Sequence, residues 1–338
     1  MKIAINGFGR IGRIFFRQAV VRPDFEIVAI NDLGDKENLL YLLEHDSVYG
    51  KFAISNLKSQ ISNLKFFQEK NPENLPWKGL RVDVVVEATG FFTSYEKAKT
   101  HLDAGAKRVV ITAPASRDVG NVGNSVSDIK VLTWTPNVIP GNIARYKITS
   151  NASCTTNAVN PVMAVMLKNF GVKKAVLSTV HGYTATQGLV DGPGGKDFRR
   201  GRAAGVNIVP STTGAAEATI QAIPEIKDKF DGAAIRVPII SGSIIDLTFV
   251  TQKKTSVEEV NKIFRKASQS EEWKGILKVS DEQIVSTDIL GEPFGSIVDL
   301  TLTKVVDNDL VKIFSWYDNE WGYCAMLIKH IEALKKFL

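Results

Sequence analysis

The chain has 338 residues, of which 44% are hydrophobic and 23% charged, and its formal net charge at pH 7 is +6. These values are typical of a soluble globular protein, and the length predicts two domains rather than one. The two cysteines, Cys154 and Cys324, lie far apart, which argues against a disulfide framework or a metal site. Because no signal peptide or membrane-spanning run is visible, we expect a cytoplasmic protein.

The basic balance of charge indicates anionic ligands. The arginines are dispersed along the chain, and no aromatic RNA-binding motif appears. Nucleic acid is therefore not expected as a primary partner, and the charge favours small phosphorylated metabolites.

Strands and helices alternate through the first third of the chain. Apolar runs predict strands over 2–6, 26–32, 82–90 and 108–114, and helical spacing predicts helices over 10–21, 36–46 and 94–105. Continuous β-branched runs between helices are typical of a parallel sheet covered on both faces. The stretch 51–78 gives no clear assignment, and 115–145 predicts a long loop with one strand, KVLTW.

After residue 150 the pattern changes. Strands that alternate more cleanly are predicted within 233–252, 296–306 and 310–316, and helices over about 154–169, 214–222 and 256–269. This indicates an α+β domain over 151–319 with a mixed, largely antiparallel sheet, after an α/β domain over 1–150. The amphipathic final helix, 320–337, is expected to return to the first domain, which would then include 320–338.

The stretch KIAINGFGRIGR indicates a dinucleotide site. Gly7, Gly9 and Gly12 form a G-x-G-x-x-G directly after a predicted strand and at the start of a helix. The first glycine permits a tight turn, the second lets backbone approach a pyrophosphate, and the third lets helix pack against strand. Asp32 ends the second strand, where a carboxylate would bind the adenosine ribose and favour NAD over NADP. The first domain is therefore predicted to be Rossmann-type; the alternative is a structural turn with Asp32 as a helix cap.

Cys154 and His181 are candidates for catalysis. Ser153 predicts a helix N-cap, which would place the Cys154 sulfur near the positive end of a helix, where the pKa of a thiol is lowered. A nucleophilic cysteine also needs a proton acceptor. Of the four histidines, His181 follows a predicted strand in the same domain, and the other three lie in predicted helices. A buried cysteine and a structurally satisfied histidine are the alternative, but the dinucleotide motif favours catalysis.

A thiolate beside a nicotinamide suggests oxidation of an aldehyde through a hemithioacetal and a thioester, which water or phosphate could cleave. Groups that bind anions are plentiful in the second domain: they are Ser153 and Thr155 beside the cysteine, Thr213 and Gly214 at a helix start, and Thr184, Thr186 and Arg236. Each hydroxyl alone is better explained as a cap or a strand-surface residue. Two phosphate sites are therefore a hypothesis based on their number.

Ten stretches carry a resemblance that extends along nearly the whole chain. They are INGFGRIGR, HDSVYGKF, EATGFFT, SNASCTTN, HGYTATQ, KDFRRGRAA, NIVPSTTGAA, IRVP, DLTF and WYDNEWGY. With these stretches the chain resembles the phosphorylating glyceraldehyde-3-phosphate dehydrogenase family. The resemblance implies oxidative phosphorylation of D-glyceraldehyde 3-phosphate to 1,3-bisphosphoglycerate with reduction of NAD, a reaction of glycolysis and gluconeogenesis.

The resemblance also implies roles for individual residues. Cys154 would be the nucleophile and His181 its base. Inorganic phosphate would be bound by Ser153, Thr155, Thr213 and Gly214, and the phosphate of the substrate by Thr184, Thr186 and Arg236. The dinucleotide would be held by Gly7, Gly9, Arg10, Ile11, Gly12 and Asp32, with Thr89 and Gly90 on the adenosine side, Thr112 near the nicotinamide ribose, Asn319 on the carboxamide and Tyr323 close by.

Members of this family are typically homotetramers, and the resemblance places 183–207 at subunit contacts. Leu189 would then reach a neighbour's cofactor site, and Arg199, Arg200 and Arg202 would lie at an interface rather than on a solvated surface. Three features depart from the family pattern: Ala158 stands where many members have a second cysteine, 115–137 is longer than usual, and 51–78 is shorter. The last two features affect cofactor-edge and oligomer contacts more than the chemistry.

Three alternatives remain. An erythrose-4-phosphate dehydrogenase would end in hydrolysis, but such enzymes usually differ at YTATQ and STTGAA. Aspartate-semialdehyde dehydrogenases share the cofactor fold and the cysteine, but YDNEWGY does not fit them. A non-catalytic protein that binds nucleic acid or another partner is disfavoured by the presence of Cys154, His181 and Arg236 together.

Overall fold

The computed structural model describes residues 1–57, 61–116, 130–138, 142–195 and 197–338. The chain divides into two compact units: unit 1 comprises Met1–Trp134, Gly141–Ala152 and Leu327–Leu338, and unit 2 comprises Thr135–Pro140 and Ser153–Met326. Most of the segment 115–137, and residues 58–60 of the segment 51–78, lie outside the described residues. Among the described residues, no helix combines the length and the apolar character needed to span a membrane.

Unit 1 contains a parallel sheet. Its strands are β1 (Lys2–Asn6), β2 (Glu26–Asn31), β3 (His45–Asp46), β4 (Gly50–Lys51), β5 (Lys65–Phe67), β6 (Val84–Glu87), β7 (Arg108–Ile111), β8 (Leu132–Thr133) and β9 (Ile148–Ser150). Seven of them form one sheet in the order β5-β2-β1-β6-β7-β9-β8, in which every neighbouring pair is parallel. Strands β3 and β4 form a separate antiparallel pair.

The helices of unit 1 follow the predicted alternation. They are α1 (Arg10–Ala19), α2 (Lys36–Glu44), α3 (Trp77–Leu80) and α4 (Tyr95–Asp103), with 3-10 turns at Ile54–Leu57, Pro72–Asn74, Ile143–Arg145 and Lys335–Phe337. The strand order reverses direction between β1 and β6, and in open parallel sheets a ligand binds at such a point, outside the carboxyl ends of the strands. The Rossmann-type prediction is thus confirmed. The turns after β1, β2, β6 and β7 all lie at the carboxyl ends of these parallel strands.

Unit 2 contains a mixed sheet, as predicted. Its strands are β10 (Val172–Gly182), β11 (Val209–Thr212), β12 (Phe230–Val237), β13 (Ser243–Thr251), β14 (Leu277–Ser280), β15 (Ser296–Val306) and β16 (Leu310–Tyr317). They are ordered β11-β12-β10-β13-β16-β15-β14, with parallel pairing only in β10–β12 and β14–β15. The predicted stretch 233–252 is divided into β12 and β13 by the connection 238–242, in which Gly242 has a φ of +89°.

Helices cover the sheet of unit 2. They are α5 (Cys154–Phe170), α6 (Ala215–Ala222) and α7 (Val257–Ser268), with 3-10 turns at Phe198–Gly201 and Pro224–Ile226. The last helix, α8 (Trp321–Leu334), contains the boundary between the two units. Buried side chains of α5, including Val159 and Met163, belong to one apolar core with Leu247 and Ile313 of the sheet. Burial of this apolar surface fixes the first turn of α5, where Cys154 lies, against the sheet.

Candidate active site

The glycine-rich turn after β1 has the shape of a dinucleotide cradle. Gly7 has a φ of +95°, and a Cβ there would lie 2.6 Å from the backbone of Ala88. A Cβ at Gly12 would lie 2.1 Å from the carbonyl oxygen of Gly7, so helix α1 packs against the turn only with glycine there. At Gly9, which caps α1, a Cβ would meet nothing within 4 Å. The Cα of Gly9 thus faces open space at the N-terminus of α1, where the motif predicts that a pyrophosphate binds.

Asp32 lies half-buried directly after β2. Its carboxylate accepts hydrogen bonds from the backbone N–H of Phe8, at 2.6 Å, and of Gly34, at 2.8 Å. The N-cap of α2 is Asp35, not Asp32, since Asp35 accepts from the N–H of Asn38. The helix-cap alternative for Asp32 is therefore wrong, and its carboxylate ties the glycine-rich turn to the end of β2.

Glu87, at the end of β6, organises the next two turns. Its Oε1 accepts hydrogen bonds from both the backbone N–H and the hydroxyl of Thr89. Its backbone carbonyl accepts from the N–H and the hydroxyl of Thr112, each at 3.0 Å. Gly90 follows Thr89 with a φ of +76° and open space at its Cα. The residues predicted for the adenosine side and for the nicotinamide ribose are thus both held by Glu87.

The buried side of Glu87 belongs to a polar network that the sequence analysis did not identify. Its Oε2 lies 2.6 Å from Nδ2 of Asn6 and 2.9 Å from Nε2 of His101. The indole N–H of Trp77 donates to Nδ1 of His101 at 3.1 Å. Because that nitrogen accepts, the proton of His101 is on Nε2 and is donated to Glu87. Four donors therefore converge on one carboxylate.

The remaining residues predicted to bind the cofactor lie in both units. In unit 1, Arg10 forms an ion pair with Asp46 at 2.6 Å, and Ile11 is half-buried in the first turn of α1. In unit 2, Asn319 and Tyr323 are 6% and 4% exposed, respectively. The carboxamide oxygen of Asn319 accepts hydrogen bonds from Gly242 and Ser243 of its own unit.

Cys154 and His181 are in contact. Cys154 is the first residue of α5, and Ser153 caps that helix by accepting a hydrogen bond from the N–H of Thr156. The Sγ of Cys154 lies 3.3 Å from Nε2 of His181. Strand β10 includes His181, which extends the predicted strand, and the register of the sheet pairs it with Arg236 of β12. The helix N-terminus and two adjacent strands thus position the thiol, the imidazole and the guanidinium.

The direction of the pKa shift of Cys154 differs from the prediction. Burial raises the pKa of the Cys154 thiol, although the Arg236 guanidinium acts in the opposite direction. Burial, and secondly the charge of Arg236, lower the pKa of His181 to about 3. The prediction that the helix N-terminus lowers the pKa of this thiol is therefore wrong in direction, because desolvation outweighs it. Burial thus acts against both charged forms, the thiolate of Cys154 and the imidazolium of His181.

Tyr317, at the end of β16, is a site residue that the sequence analysis missed. Its ring packs edge-on against His181, with centroids 5.9 Å apart, and burial raises the pKa of its hydroxyl. The hydroxyl lies 2.9 Å from Oγ1 of Thr155 and 2.8 Å from Oγ1 of Thr179. It therefore connects the first turn of α5 to β10. The only sequence signal was its place in WYDNEWGY.

The predicted phosphate-binding residues form separate groups. The hydroxyls of Thr184 and Thr186 lie 3.0 Å apart, and Thr213 accepts from the N–H of Ala215 at the start of α6. Arg236 is half-buried and lies 2.7 Å from Nδ1 of His181. Arg236 makes its hydrogen bonds to His181 and to the carbonyl of Gly182, and these do not include Thr184, Thr186, Thr213 or Gly214.

The segment after β10 exposes large apolar side chains. Exposed fractions are 84% for both Leu189 and Phe198. The three arginines there have partners within the chain: Arg199 pairs with Asp197, Arg202 with Asp191, and Arg200 donates to the carbonyl of Thr212. Ala158 is fully buried in α5. No group of three or more metal-binding side chains occurs within the described ranges.

Comparison with known proteins agrees with this site. Residues 1–95 match the family model "Glyceraldehyde 3-phosphate dehydrogenase, NAD binding domain", and residues 153–319 match its C-terminal domain. The chain is 44% identical to a glyceraldehyde-3-phosphate dehydrogenase of Clostridium pasteurianum, over 99% of this chain and 98% of that protein. It is 43% identical to one of Streptomyces coelicolor, over 97% and 96%, and 41% identical to one of Chlamydia pneumoniae, over 99% of each.

The matched residues include the glycine-rich turn, Cys154, His181 and Asn319, and the relatives are aligned over almost their full length. The cofactor of the first unit is therefore NAD. This chain belongs to the glyceraldehyde-3-phosphate dehydrogenase family.

Proposed function

We propose that this chain oxidises D-glyceraldehyde 3-phosphate and phosphorylates the product to 1,3-bisphosphoglycerate, with reduction of NAD, as a step of glycolysis and gluconeogenesis. The observation that carries the proposal is the 3.3 Å contact between Sγ of Cys154 and Nε2 of His181. It occurs in a chain with an NAD-binding domain and an arginine beside the catalytic pair. A nucleophile, a base and an anion-binding group are thus within reach of one substrate.

Cys154 supplies the nucleophile. As its proton passes to His181, the sulfur forms a C–S bond with the aldehyde carbon, and the carbonyl oxygen takes up a proton to give a hemithioacetal. His181 can deliver that proton and remove it again when the carbon is oxidised, because Nε2 lies within hydrogen-bond reach of the sulfur. When bound, the dinucleotide supplies the acceptor for the hydride, which leaves a thioester on Cys154. Inorganic phosphate then attacks the thioester carbonyl, the C–S bond breaks, and the thiolate of Cys154 leaves.

The directions of these two pKa shifts suit a site that is activated by its substrate. Burial disfavours both the thiolate of Cys154 and the imidazolium of His181. A thiol that stays protonated is protected from unwanted oxidation or alkylation. Proton transfer therefore accompanies attack on the aldehyde, and the imidazolium that forms stabilises the developing oxyanion.

Two anion sites complete the proposal. Arg236 offers a fork of N–H donors that suits the phosphate of the substrate, together with the hydroxyls of Thr184 and Thr186. Inorganic phosphate would be bound by Ser153 and Thr155 in the first turn of α5 and by Thr213 and Gly214 at the start of α6. Gly7, Gly9, Arg10, Ile11, Gly12, Asp32, Thr89, Gly90, Thr112, Asn319 and Tyr323 would hold the dinucleotide.

We further propose a cytoplasmic homotetramer whose NAD-binding domain is 1–150 with 320–338 and whose catalytic domain is 151–319. The exposed apolar side chains of Leu189 and Phe198 support subunit contacts through the segment after β10. Neither Cys154 nor Cys324 is in a disulfide, which suits a reducing compartment. Mass measurement in solution tests the tetramer.

Purified protein, glyceraldehyde 3-phosphate and NAD should give NADH at a rate that depends strongly on phosphate or arsenate. Equal rates without either anion would favour the hydrolytic reaction of an erythrose-4-phosphate dehydrogenase, and no NADH at all would favour a non-catalytic role. Cys154→Ser should abolish turnover and leave NAD binding intact. The matched control is Cys324→Ala, at the other, buried cysteine, which should retain turnover.

A further inference from the structure

The carboxamide of Asn319 is held by three consecutive residues, Ser241–Ser243, where β13 begins. Its Oδ1 accepts a hydrogen bond from the hydroxyl of Ser243 at 2.8 Å, from the backbone N–H of Gly242 at 3.1 Å, and from the hydroxyl of Ser241 at 3.4 Å. All four residues belong to unit 2, and Ser241, Ser243 and Asn319 are buried. A backbone N–H can only donate, so the oxygen of the amide, not its NH2, faces this turn. The NH2 is thus the end of Asn319 that can donate to a ligand.

Glycine is the residue type that fits at position 242, in the middle of this turn. Gly242 has a φ of +89°, and a Cβ there would lie 2.5 Å from the carbonyl oxygen of Ser286. Its N–H is therefore aimed by a conformation that a residue with a side chain adopts only with strain.

Ser243 also contacts the strand that carries the catalytic histidine. Its hydroxyl oxygen accepts from the backbone N–H of Gly182 at 3.2 Å, while its single proton goes to Asn319. Gly182 follows His181 directly, and its carbonyl lies 2.6 Å from Nδ1 of that ring. One hydroxyl thus connects Asn319 to the end of β10.

We propose that Ser243 is a positioning residue, which holds the Asn319 amide so that its NH2 donates to the carbonyl of the nicotinamide carboxamide, in register with His181. The proposal rests on the function proposed above, in which Asn319 binds that carboxamide. Ser243 itself touches neither cofactor nor substrate in this role. The residue would therefore affect only the part of the dinucleotide that carries the carboxamide.

Binding measurements with two ligands separate this role from a general structural one. NAD contains the carboxamide, whereas ADP-ribose has the same adenosine and pyrophosphate but no nicotinamide. Ser243→Ala should weaken NAD binding roughly fivefold to tenfold, the loss expected for one buried hydrogen bond, and leave ADP-ribose binding within about twofold. Ser243→Cys keeps the approximate size of the side chain and a weak donor, so its NAD affinity should lie between that of the unchanged protein and that of Ser243→Ala.

A double-mutant cycle identifies the partner. In an Asn319→Ala background, Ser243→Ala should cause no further loss of NAD affinity, because the group that it positions is gone. Equal weakening of NAD and ADP-ribose, unchanged NAD affinity, or full additivity with Asn319→Ala would each overturn the proposal. These dissociation constants are measured without the aldehyde. A wrong substrate assignment would therefore show in the turnover assay but would not change the binding result.

Discussion

Nη1 of Arg236 lies 2.7 Å from Nδ1 of His181. This Nδ1 also lies 2.6 Å from the carbonyl oxygen of Gly182. A guanidinium can only donate and a carbonyl can only accept, so Nδ1 serves one of them at a time. While Arg236 donates, the proton of the ring is on Nε2 and points at Cys154, and the ring cannot take the thiol proton. When Nδ1 instead donates to Gly182, Nε2 is a free base.

An anion that binds Arg236 should therefore change the tautomer of His181. We expect 15N NMR of histidine-labelled protein to show the Nε2–H tautomer without phosphate or sulfate, and the Nδ1–H form with either anion at saturation. Arg236→Met, which removes the donor, should show the Nδ1–H form without any anion. The chain has four histidines, so the spectrum of His181→Asn assigns the signal. The same tautomer under all conditions would refute this competition.

Tyr317→Phe should destabilise unit 2 and disturb the first turn of α5. The hydroxyl bonds two buried threonines, Thr155 and Thr179, and its loss should lower the free energy of unfolding by about 1–3 kcal/mol. The control Tyr41→Phe, at a ring that is 59% exposed, should change it by less than about 0.5 kcal/mol. Combination with Thr155→Val should be non-additive in denaturant unfolding. Full additivity would mean that the bridge contributes nothing.

Glu87→Gln should lower both the stability of unit 1 and its affinity for NAD. The carboxylate receives four donors, and an amide in its place would turn its own NH2 toward two of them. Release of the Thr89 backbone N–H should raise the dissociation constant of NAD roughly tenfold and lower the melting temperature. Glu96→Gln, at a glutamate exposed on α4, is the matched control. Equal behaviour of the two variants would contradict the role given to Glu87.

Stability should fall as the pH drops below about 6.5, the ordinary pKa of histidine. Burial lowers the pKa of His330 to about 3, so between these values the unfolded chain binds a proton that the folded chain does not. Over this range His330 lowers the free energy of unfolding by about 1.4 kcal/mol for each unit by which the pH falls. Between pH 6 and 5, where carboxylates contribute little, His330→Gln should flatten the slope by that amount. A slope that does not change in the variant would contradict the assignment.

Local patterns predicted much of the fold. The glycine spacing and the β-branched runs identified the Rossmann-type sheet, because the backbone demands at Gly7 and Gly12 are local. The N-cap at Ser153 was also predicted, since capping depends on a few adjacent residues. The pairing of Cys154 with His181 was predicted from the place of His181 among the four histidines and from the family resemblance, not from a local pattern.

What the sequence could not predict depends on contacts distant along the chain. Tyr317 meets Thr155 across 162 residues, and His101 meets Glu87 through the packing of α4 on the sheet. The pKa of Cys154 was predicted in the wrong direction, because a helix N-terminus is visible in the sequence whereas the degree of burial is not. Exact strand ends, such as the gap between β12 and β13 at 238–242, were not predicted either.

The most direct test of the central claim is a single turnover without phosphate, followed by both NADH absorbance and the mass of the intact protein. We expect a burst of about one NADH per active site, with a phosphoglyceroyl group attached to Cys154 that disappears when phosphate is added. Steady NADH production without phosphate and without an adduct on Cys154, or an adduct on another residue, would contradict the account.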